Sequence, residues 1–245
     1  PSQAGLWLGG HGEYVFDNLV SYNYTYSTQN YAAYTNFTNT IGKFSYEAGL
    51  RFEQYIISGD LANGKFSYSK PALFPSIFLT QKLTDKQQLQ LNYSRRVDRP
   101  DWREISPRID YEDPQNLRQG NPALKPEYTN SFEFSYNNNF GNNNVLATLY
   151  FRNTNNLITS YVTPLKGDTL LNTYVNAHSS NSYGLELTMQ NYLTKWWNIT
   201  SNFNFYQTDI QASNVQNNLS NSGFRWFAKI NSDMALPCRS EERRV

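Results

Sequence analysis

The chain has 245 residues and a formal net charge of +1, so it carries no strong electrostatic bias. This balance argues against a dedicated nucleic-acid binder, which usually shows a basic stripe. Hydrophobic residues make up only 39% of the chain, yet aromatic residues reach 16%, with 19 Tyr and 15 Phe. A polar average with many large amphipathic rings is typical of a membrane barrel wall, which needs an apolar outer band, a polar lumen and aromatic girdles.

Three further features bound the class of protein. No stretch approaches the roughly 18 continuous apolar residues of a membrane helix, which is neutral because barrel strands alternate. Residues 1–5 have neither the basic nor the apolar region of a signal peptide, so we expect a processed start or a chain that begins within a protein. Cys238 is the only cysteine, which excludes a disulfide within the chain.

Apolar and polar residues alternate with a period of two along much of the chain. This period predicts β-strands, and helical spacing explains none of the runs as well. A half-exposed antiparallel sheet of a soluble protein is the alternative to a membrane barrel. In chain order, the apolar members of the runs are Ala48, Leu50 and Phe52; Leu89, Leu91 and Tyr93; Phe132, Phe134 and Tyr136; Val145, Ala147, Leu149 and Phe151; Tyr183, Leu185, Leu187 and Met189; and Ile199, Phe203 and Phe205.

Short and long connections alternate between the predicted strands. Outer-membrane barrels have short periplasmic turns and long extracellular loops, and a soluble sandwich shows no such alternation. The pattern therefore indicates about nine or ten strands, each needing about 9–11 residues to cross the bilayer at a tilt. The predicted periplasmic turns are 42–43, 84–86, 140–143 and 194–195, and the predicted extracellular loops are 58–69, 98–125, 164–181 and 211–220.

The segment from 95 to 127 carries the most specific signal. Gly120-Asn121-Pro122 predicts a turn, and Pro122 and Pro126 favour extended backbone in the residues before them. Glu127 then opens the next strand. The charged and aromatic residues at the start of the segment form either an extracellular binding mouth or local ion pairs that order the loop. The residues assigned to this motif and loop are Arg95, Arg96, Arg99, Pro100, Trp102, Gly120, Asn121, Pro122, Leu124, Pro126 and Glu127.

This segment resembles a known family. Gly-Asn-Pro-x-Leu-Lys-Pro-Glu at 120–127 is similar to the phrase that enters a barrel strand in TonB-dependent outer-membrane receptors. Phrases at 31–34, 44–51, 93–100 and 182–187 resemble the Bacteroidetes-type branch of those proteins. The resemblance spans about residues 30 to 233, and it comprises several phrases in the same order.

The resemblance implies an all-β fold, an antiparallel transmembrane β-barrel of about 22 strands of which this chain supplies a part. It also implies an N-terminal plug inside the barrel and a short box on the plug that meets TonB across the periplasm. Neither is recognisable in this chain, and nor is a barrel-closing strand. Because lipid tolerates no open sheet edge, we expect the chain not to function alone.

The expected domain organisation is a partial outer-membrane β-barrel over residues 1–238 and a non-native tail over residues 239–245. The tail is compactly charged and lacks alternation, and it resembles the translation of a sequencing adapter. A genuine charged tail is the alternative.

Four charged residues fall on the polar face of the predicted strands: Arg51, Glu53, Arg152 and Glu186. They are candidate lumen-facing residues, serving salt bridges and solvation or contacting a substrate. The two histidines are far apart in sequence, and no metal-ligand spacing accompanies them. We therefore expect no catalytic residue, no metal site and no cofactor.

These observations predict an integral protein of the bacterial outer membrane that is not an enzyme. The resemblance implies that its function is the import of a bulky nutrient, namely a metal chelate, an oligosaccharide or a peptide. The expected partners are the lipid bilayer, TonB through a plug absent from this chain, and an unidentified nutrient, with no nucleic acid. The alternative is a non-transporting barrel that serves adhesion or surface anchoring.

Overall fold

The computed structural model describes residues 6–7, 14–15, 25–61, 64–215 and 219–235. Nine long strands form one antiparallel sheet in which each long strand pairs with its neighbour in the chain, as the sequence predicts. They are β3 (Thr25–Ile41), β4 (Phe44–Leu61), β5 (Gly64–Lys82), β6 (Gln87–Asp98), β9 (Glu127–Phe140), β10 (Asn143–Pro164), β11 (Leu170–Thr194), β12 (Trp197–Gln211) and β13 (Ser220–Met234).

Shorter elements complete the described part of the chain. A separate two-stranded ribbon joins β1 (Leu6–Trp7) and β2 (Tyr14–Val15). Three elements lie between β6 and β9: α1 (Trp102–Ile105), β7 (Ile109–Asp110) and β8 (Asn116–Gln119). No helix among the described residues is long and apolar enough to cross a membrane.

The sheet has an apolar face and a polar face. The strand register aligns Tyr93, Phe132, Phe151 and Tyr183 on the apolar face. These large side chains are exposed or half-buried, and Leu149 beside them is 56% exposed. A soluble sheet would bury this face against a second layer, and the described residues form none. A wide exposed apolar band is what lipid covers on a barrel, so this sheet is part of the wall of an antiparallel transmembrane β-barrel.

Hydrogen bonds between side chains of neighbouring strands cover the polar face. Ser135 and Thr148 lie 2.9 Å apart between β9 and β10, and the Asn202 amide donates to Thr188 at 2.9 Å between β12 and β11. Such cross-strand pairs each add a fraction of a kcal/mol, about 0.2–1, to the stability of a sheet.

One end of the sheet, the turn end, carries only short connections. Turns at 42–43, 83–86, 141–142 and 195–196 join successive strands, which confirms the four short links predicted from the sequence. Gly42 and Gly141 each adopt a φ of 60°, in the left-handed region that favours glycine. Tight turns of this kind fix the register of each hairpin.

The opposite end, the loop end, differs from the prediction in two places. The prediction of long loops at 58–69 and 164–181 is wrong. Strands β4 and β5 stay paired up to Leu61 and Gly64, and β10 and β11 stay paired up to Pro164 and Leu170. The Ser-, Asn- and Gly-rich composition of these segments is typical of loops, but their backbones continue the ladder into two tall hairpins. The loop predicted at 98–125 is confirmed, as 99–126, and the connection predicted at 211–220 lies between the end of β12 at Gln211 and the start of β13 at Ser220.

Two smaller differences follow from the same extension of the ladder. The long strands have 12 to 25 residues, more than the roughly 9–11 needed to cross the bilayer. Arg95, Arg96 and Glu127 were assigned to the loop motif but lie in strands, because β6 and β9 stay paired up to Asp98 and Glu127. The predicted tail at 239–245 lies outside the described residues.

Gly184 allows close packing on the polar face. It lies in register with Tyr150 on β10 and Tyr206 on β12. A Cβ atom at this position would lie 2.4 Å from the carbonyl oxygen of Phe205 and 2.9 Å from the Tyr150 hydroxyl. The space over the glycine is taken by Tyr150, which donates to Asn204 at 3.2 Å.

We therefore expect Gly184→Ala to destabilise the full-length protein by about 1–3 kcal/mol, the usual effect of overpacking. Thermal unfolding in detergent, followed by circular dichroism, measures the change. Ser182→Ala is the matched control on the same strand and face, and it should lower stability much less. An unchanged unfolding temperature for Gly184→Ala would show that the wall adapts at this point.

Candidate functional site

The 99–126 loop at the loop end is folded by its own contacts. Its helix α1 begins with a capping box. Asp101 Oδ1 accepts from the backbone N–H groups of Arg103 at 2.7 Å and Glu104 at 2.9 Å, and Glu104 Oε2 accepts from the Asp101 N–H at 2.9 Å. Because both ends of the box are satisfied, the first turn of the loop is ordered despite having only four helical residues.

The outer part of the loop is a small β-hairpin made by β7 and β8. Its turn is closed by Asp113, whose carboxylate accepts from the Asn116 amide at 2.8 Å and from the Gln115 N–H at 2.9 Å. These hydrogen bonds hold the pKa of Asp113 below its ordinary value. The hairpin is therefore fixed by local polar contacts at a solvent-exposed position.

Gly120 and Asn121 join the end of the loop to its beginning. A Cβ atom on Gly120 would lie 2.5 Å from the carbonyl oxygen of Arg103, so only glycine allows this approach. The Asn121 N–H donates to the carbonyl oxygen of Glu104 at 2.6 Å. The Asn121 side-chain amide donates to the carbonyl oxygen of Tyr174 at 2.9 Å. The predicted turn is confirmed, and its residues bind both α1 and β11.

Leu124 anchors the loop in a small apolar cluster on the polar-face side of the sheet. It is 8% exposed and packs with Ile105 of α1 and Ile57 of β4. The side chains around this cluster come from strands on both sides of the loop: Tyr26, Tyr55, Tyr68, Ile158 and Tyr174. The loop therefore bridges the tall β4–β5 and β10–β11 hairpins, across the notch where β6 and β9 end.

Backbone pairing and side-chain hydrogen bonds connect the same loop to β11. Strand β8 pairs with β11 in parallel. The side chain of Asn176 accepts from the Lys125 N–H at 2.8 Å and donates to the Lys125 carbonyl oxygen at 2.9 Å. Sequence reasoning missed Asn176, because an isolated asparagine in a polar segment carries no signal of a contact 51 residues away.

Glu53 makes the charged anchor of the loop. It is 5% exposed and accepts from Arg51 Nε at 2.5 Å and from the Arg99 guanidinium. Arg99 also lies over the Tyr55 ring, with its Cζ atom 4.5 Å from the ring centroid. The sequence singled out Arg51, Glu53 and Arg99 separately, and the structure brings them together as one ion-pair network.

The other two charged residues predicted on the polar face lie there and have separate partners. Arg152 pairs with Glu133 at 3.5 Å, and Glu186 accepts from Asn202 at 2.8 Å. Over the part of the chain that the structure describes, no group of three or more His, Cys, Asp or Glu side chains is arranged to hold a metal ion.

The remaining motif residues fall into buried and exposed groups. Pro100 and Pro126 are buried. Trp102 is 56% exposed, Arg96 is exposed on the polar face, and Arg95 is exposed on the apolar face. Pro122 is half-buried, and Glu127 accepts from the Ile158 N–H at 2.8 Å. Most residues of the motif thus hold the 99–126 loop against the sheet, and a few of its side chains remain accessible.

Several solved outer-membrane proteins share the fold. The FrpB iron transporter from Neisseria meningitidis (F5-1 variant) matches with a TM-score of 0.60 and 14% identity, over 84% of this chain and 31% of that one. The copper transporter OprC matches with a TM-score of 0.61 and 14% identity, over 77% of this chain and 30% of that one.

The ferric yersiniabactin uptake receptor FyuA from Yersinia pestis matches with a TM-score of 0.59 and 15% identity, over 89% of this chain and 33% of that one. This chain therefore spans about a third of the length of these proteins. No curated protein is significantly similar to it. The sequence profile of the outer membrane protein beta-barrel family matches residues 8–239, so the chain belongs to this family of integral outer-membrane proteins.

Proposed function

We propose that this chain forms part of the barrel wall of a TonB-dependent receptor that imports a bulky nutrient across the outer membrane. The observation that carries the proposal is the folded 99–126 loop, which lies against the polar face of the wall at one end. A loop in this position narrows the entrance to a lumen. The similar folds of two metal transporters and an uptake receptor support the same class of function.

The proposed orientation places the loop end outside the cell and the turn end in the periplasm. Four short turns on one side and two tall hairpins with two loops on the other match the asymmetry of outer-membrane barrels. The polar face then lines the lumen, and Arg51, Glu53, Arg152 and Glu186 face it.

Exposure divides the motif into anchoring and cargo-facing residues. Arg99, Gly120, Asn121 and Leu124 hold the loop in place and are poorly placed to meet a ligand. Arg95 is exposed on the apolar face, and Arg96 and Trp102 are the other accessible charged and aromatic residues of the motif, so we propose that these two contact the cargo. The cargo is a metal chelate, an oligosaccharide or a peptide.

The family resemblance supplies the proposed parts of the receptor outside this chain: further strands, a plug and contact with TonB. Edge strands β3 and β13 each lack one neighbour among the described strands. Because lipid tolerates no open edge, further strands complete the proposed barrel to about 22. A plug in its lumen contacts TonB, which supplies the energy for transport. The Bacteroidetes-type branch remains the predicted source, and the proposed role is transport rather than catalysis.

Growth of a strain that lacks the complete gene tests the import function. The strain is compared with its parent and with a complemented strain on three probes: ferric siderophores as sole iron source, defined oligosaccharides as sole carbon source, and peptides as sole nitrogen source. We expect a growth defect on one probe class, restored by the full-length gene and lost again when TonB is deleted.

Equal growth of the deletion strain on all three probe classes would contradict import. If the same strain then adheres poorly to surfaces or fails to retain a surface partner, the non-transporting barrel is the correct function.

The Glu53 anchor makes a separate prediction about the loop. Replacing Glu53 by Gln leaves the partly buried Arg99 without its carboxylate, which costs roughly 1–3 kcal/mol of local stability. We expect the 99–126 loop to open more often, and trypsin added to intact cells to cleave at Arg103, Arg108 or Arg118 about tenfold faster.

Glu133→Gln is the matched control, because it removes the same charge from the polar face where the carboxylate is more exposed and pairs with Arg152 at 3.5 Å. Equal cleavage rates in the two variants would show that Glu53 does not hold the loop. Resistance of both variants in intact cells, with cleavage only after lysis, would reverse the proposed orientation.

A further inference from the structure

The hydrogen-bond ladder of the wall is interrupted between β5 and β6. Strand β5 pairs with β4 along its whole length, but its pairing with β6 ends at Ser76 and Ser94. The residues of β5 that precede Ser76 in the chain therefore border a gap in the wall on the side of β6.

Two prolines cause the interruption. The Lys82 N–H donates to the carbonyl oxygen of Lys43, the residue just before β4. Even-numbered residues of β5 therefore direct their backbone groups to β4, and odd-numbered residues direct theirs to β6. Pro71 and Pro75 are odd-numbered and have no N–H to donate, so the ladder towards β6 cannot continue past them.

The gap forms a cavity of 640 Å³ between apolar and cationic side chains. Phe52 and Leu73, which end the apolar band on β4 and β5, line one part of it. Lys70, Arg95 and Tyr128 line another part. Arg95 follows Tyr93 of the apolar band by two residues on the same face, whereas Lys70 pairs with Tyr55 and belongs to the polar face. The two cations therefore meet across the gap, at the loop-end border of the band.

The two cations of this cavity have aromatic partners but no acidic ones. Lys70 Nζ lies 5.9 Å and Arg95 Cζ 5.3 Å from the centroid of the Tyr128 ring. No Asp or Glu lines the cavity, and neither cation takes part in an ion pair with a described residue. Two cations without a carboxylate, beside an apolar wall, complement an anion that carries hydrocarbon chains.

We propose that this cavity binds the phosphate group of a lipid in the surrounding outer-membrane leaflet. Arginine and lysine both recognise phosphate, and basic pockets at the edge of a membrane-embedded surface recognise anionic head groups. The acyl chains then lie over Phe52 and Leu73 and continue along the apolar band. The site is independent of import, since it needs only the membrane location of the wall.

Lipid binding to the full-length receptor in detergent tests the site. Native mass spectrometry compares phosphatidic acid with a diacylglycerol of the same acyl chains. We expect phosphatidic acid to bind at least about tenfold more tightly than diacylglycerol, and Lys70→Gln combined with Arg95→Gln to remove this preference. Lys43→Gln combined with Lys86→Gln removes the same charge at the turn end and should leave the preference unchanged.

A second pair of variants tests the gap rather than the charges. Pro71→Thr combined with Pro75→Thr supplies the missing N–H groups and lets β6 extend the ladder, so phosphatidic acid should bind about tenfold more weakly although both cations remain. An unchanged preference in the Lys70 and Arg95 double variant would overturn the site. Competition by millimolar inorganic phosphate as effective as that by phosphatidic acid would also overturn it, by showing an anion site without a lipid component.

Discussion

The pairing of every backbone N–H and C=O group inside the membrane is the constraint on which the wall depends. Hydrocarbon offers these groups no partner, so each strand must find its hydrogen bonds in the next one. Nine strands follow one another in a single order, and each forms hydrogen bonds with its neighbours. Register is equally constrained, because a slip of one residue exchanges the faces of a strand. On β9 such a slip would place Glu133 against lipid instead of Phe132 and Phe134.

The constraint relaxes at the loop-end border of the apolar band, and there the structure becomes irregular. Strands β6 and β9 end there, and Pro71 and Pro75 leave the side of β5 towards β6 unpaired. The 99–126 loop fills the notch and supplies substitute partners. β8 of the loop adds a parallel segment to β11, and Glu127, the first residue of β9 after the loop, accepts from the Ile158 N–H. The loop region thus pairs backbone groups that the sheet leaves unpaired, with side-chain as well as backbone hydrogen bonds.

The features that could be predicted from the sequence are the local ones. Alternation of residues such as Leu149 and Tyr150 depends only on strand geometry, and the turn at Gly42 depends on a single backbone conformation. The heights of the two hairpins could not be predicted, because their polar segments are held by distant contacts such as that of Asn176 with Lys125.

The candidate site shows the same limit. Glu53 and Arg99 each stood out as charged residues, but their pairing spans 46 positions in the chain. Gly120 was recognisable as part of a turn. That its missing Cβ allows contact with the Arg103 carbonyl is a consequence of how α1 packs, which no local pattern records.

Most positions in such a wall do not require a specific side chain. The ladder needs only backbone groups, and the two faces need only the right class of residue at alternate positions, which explains how the fold persists at 14–15% identity. Specific side chains are required where the backbone alone is insufficient: Gly184 beneath Tyr150, and Glu53, Gly120 and Asn121 at the loop. Because these residues maintain the shape of the loop, the import function proposed above assigns differences in cargo between related barrels to the accessible residues around them, such as Arg96 and Trp102, and not to the anchoring motif itself.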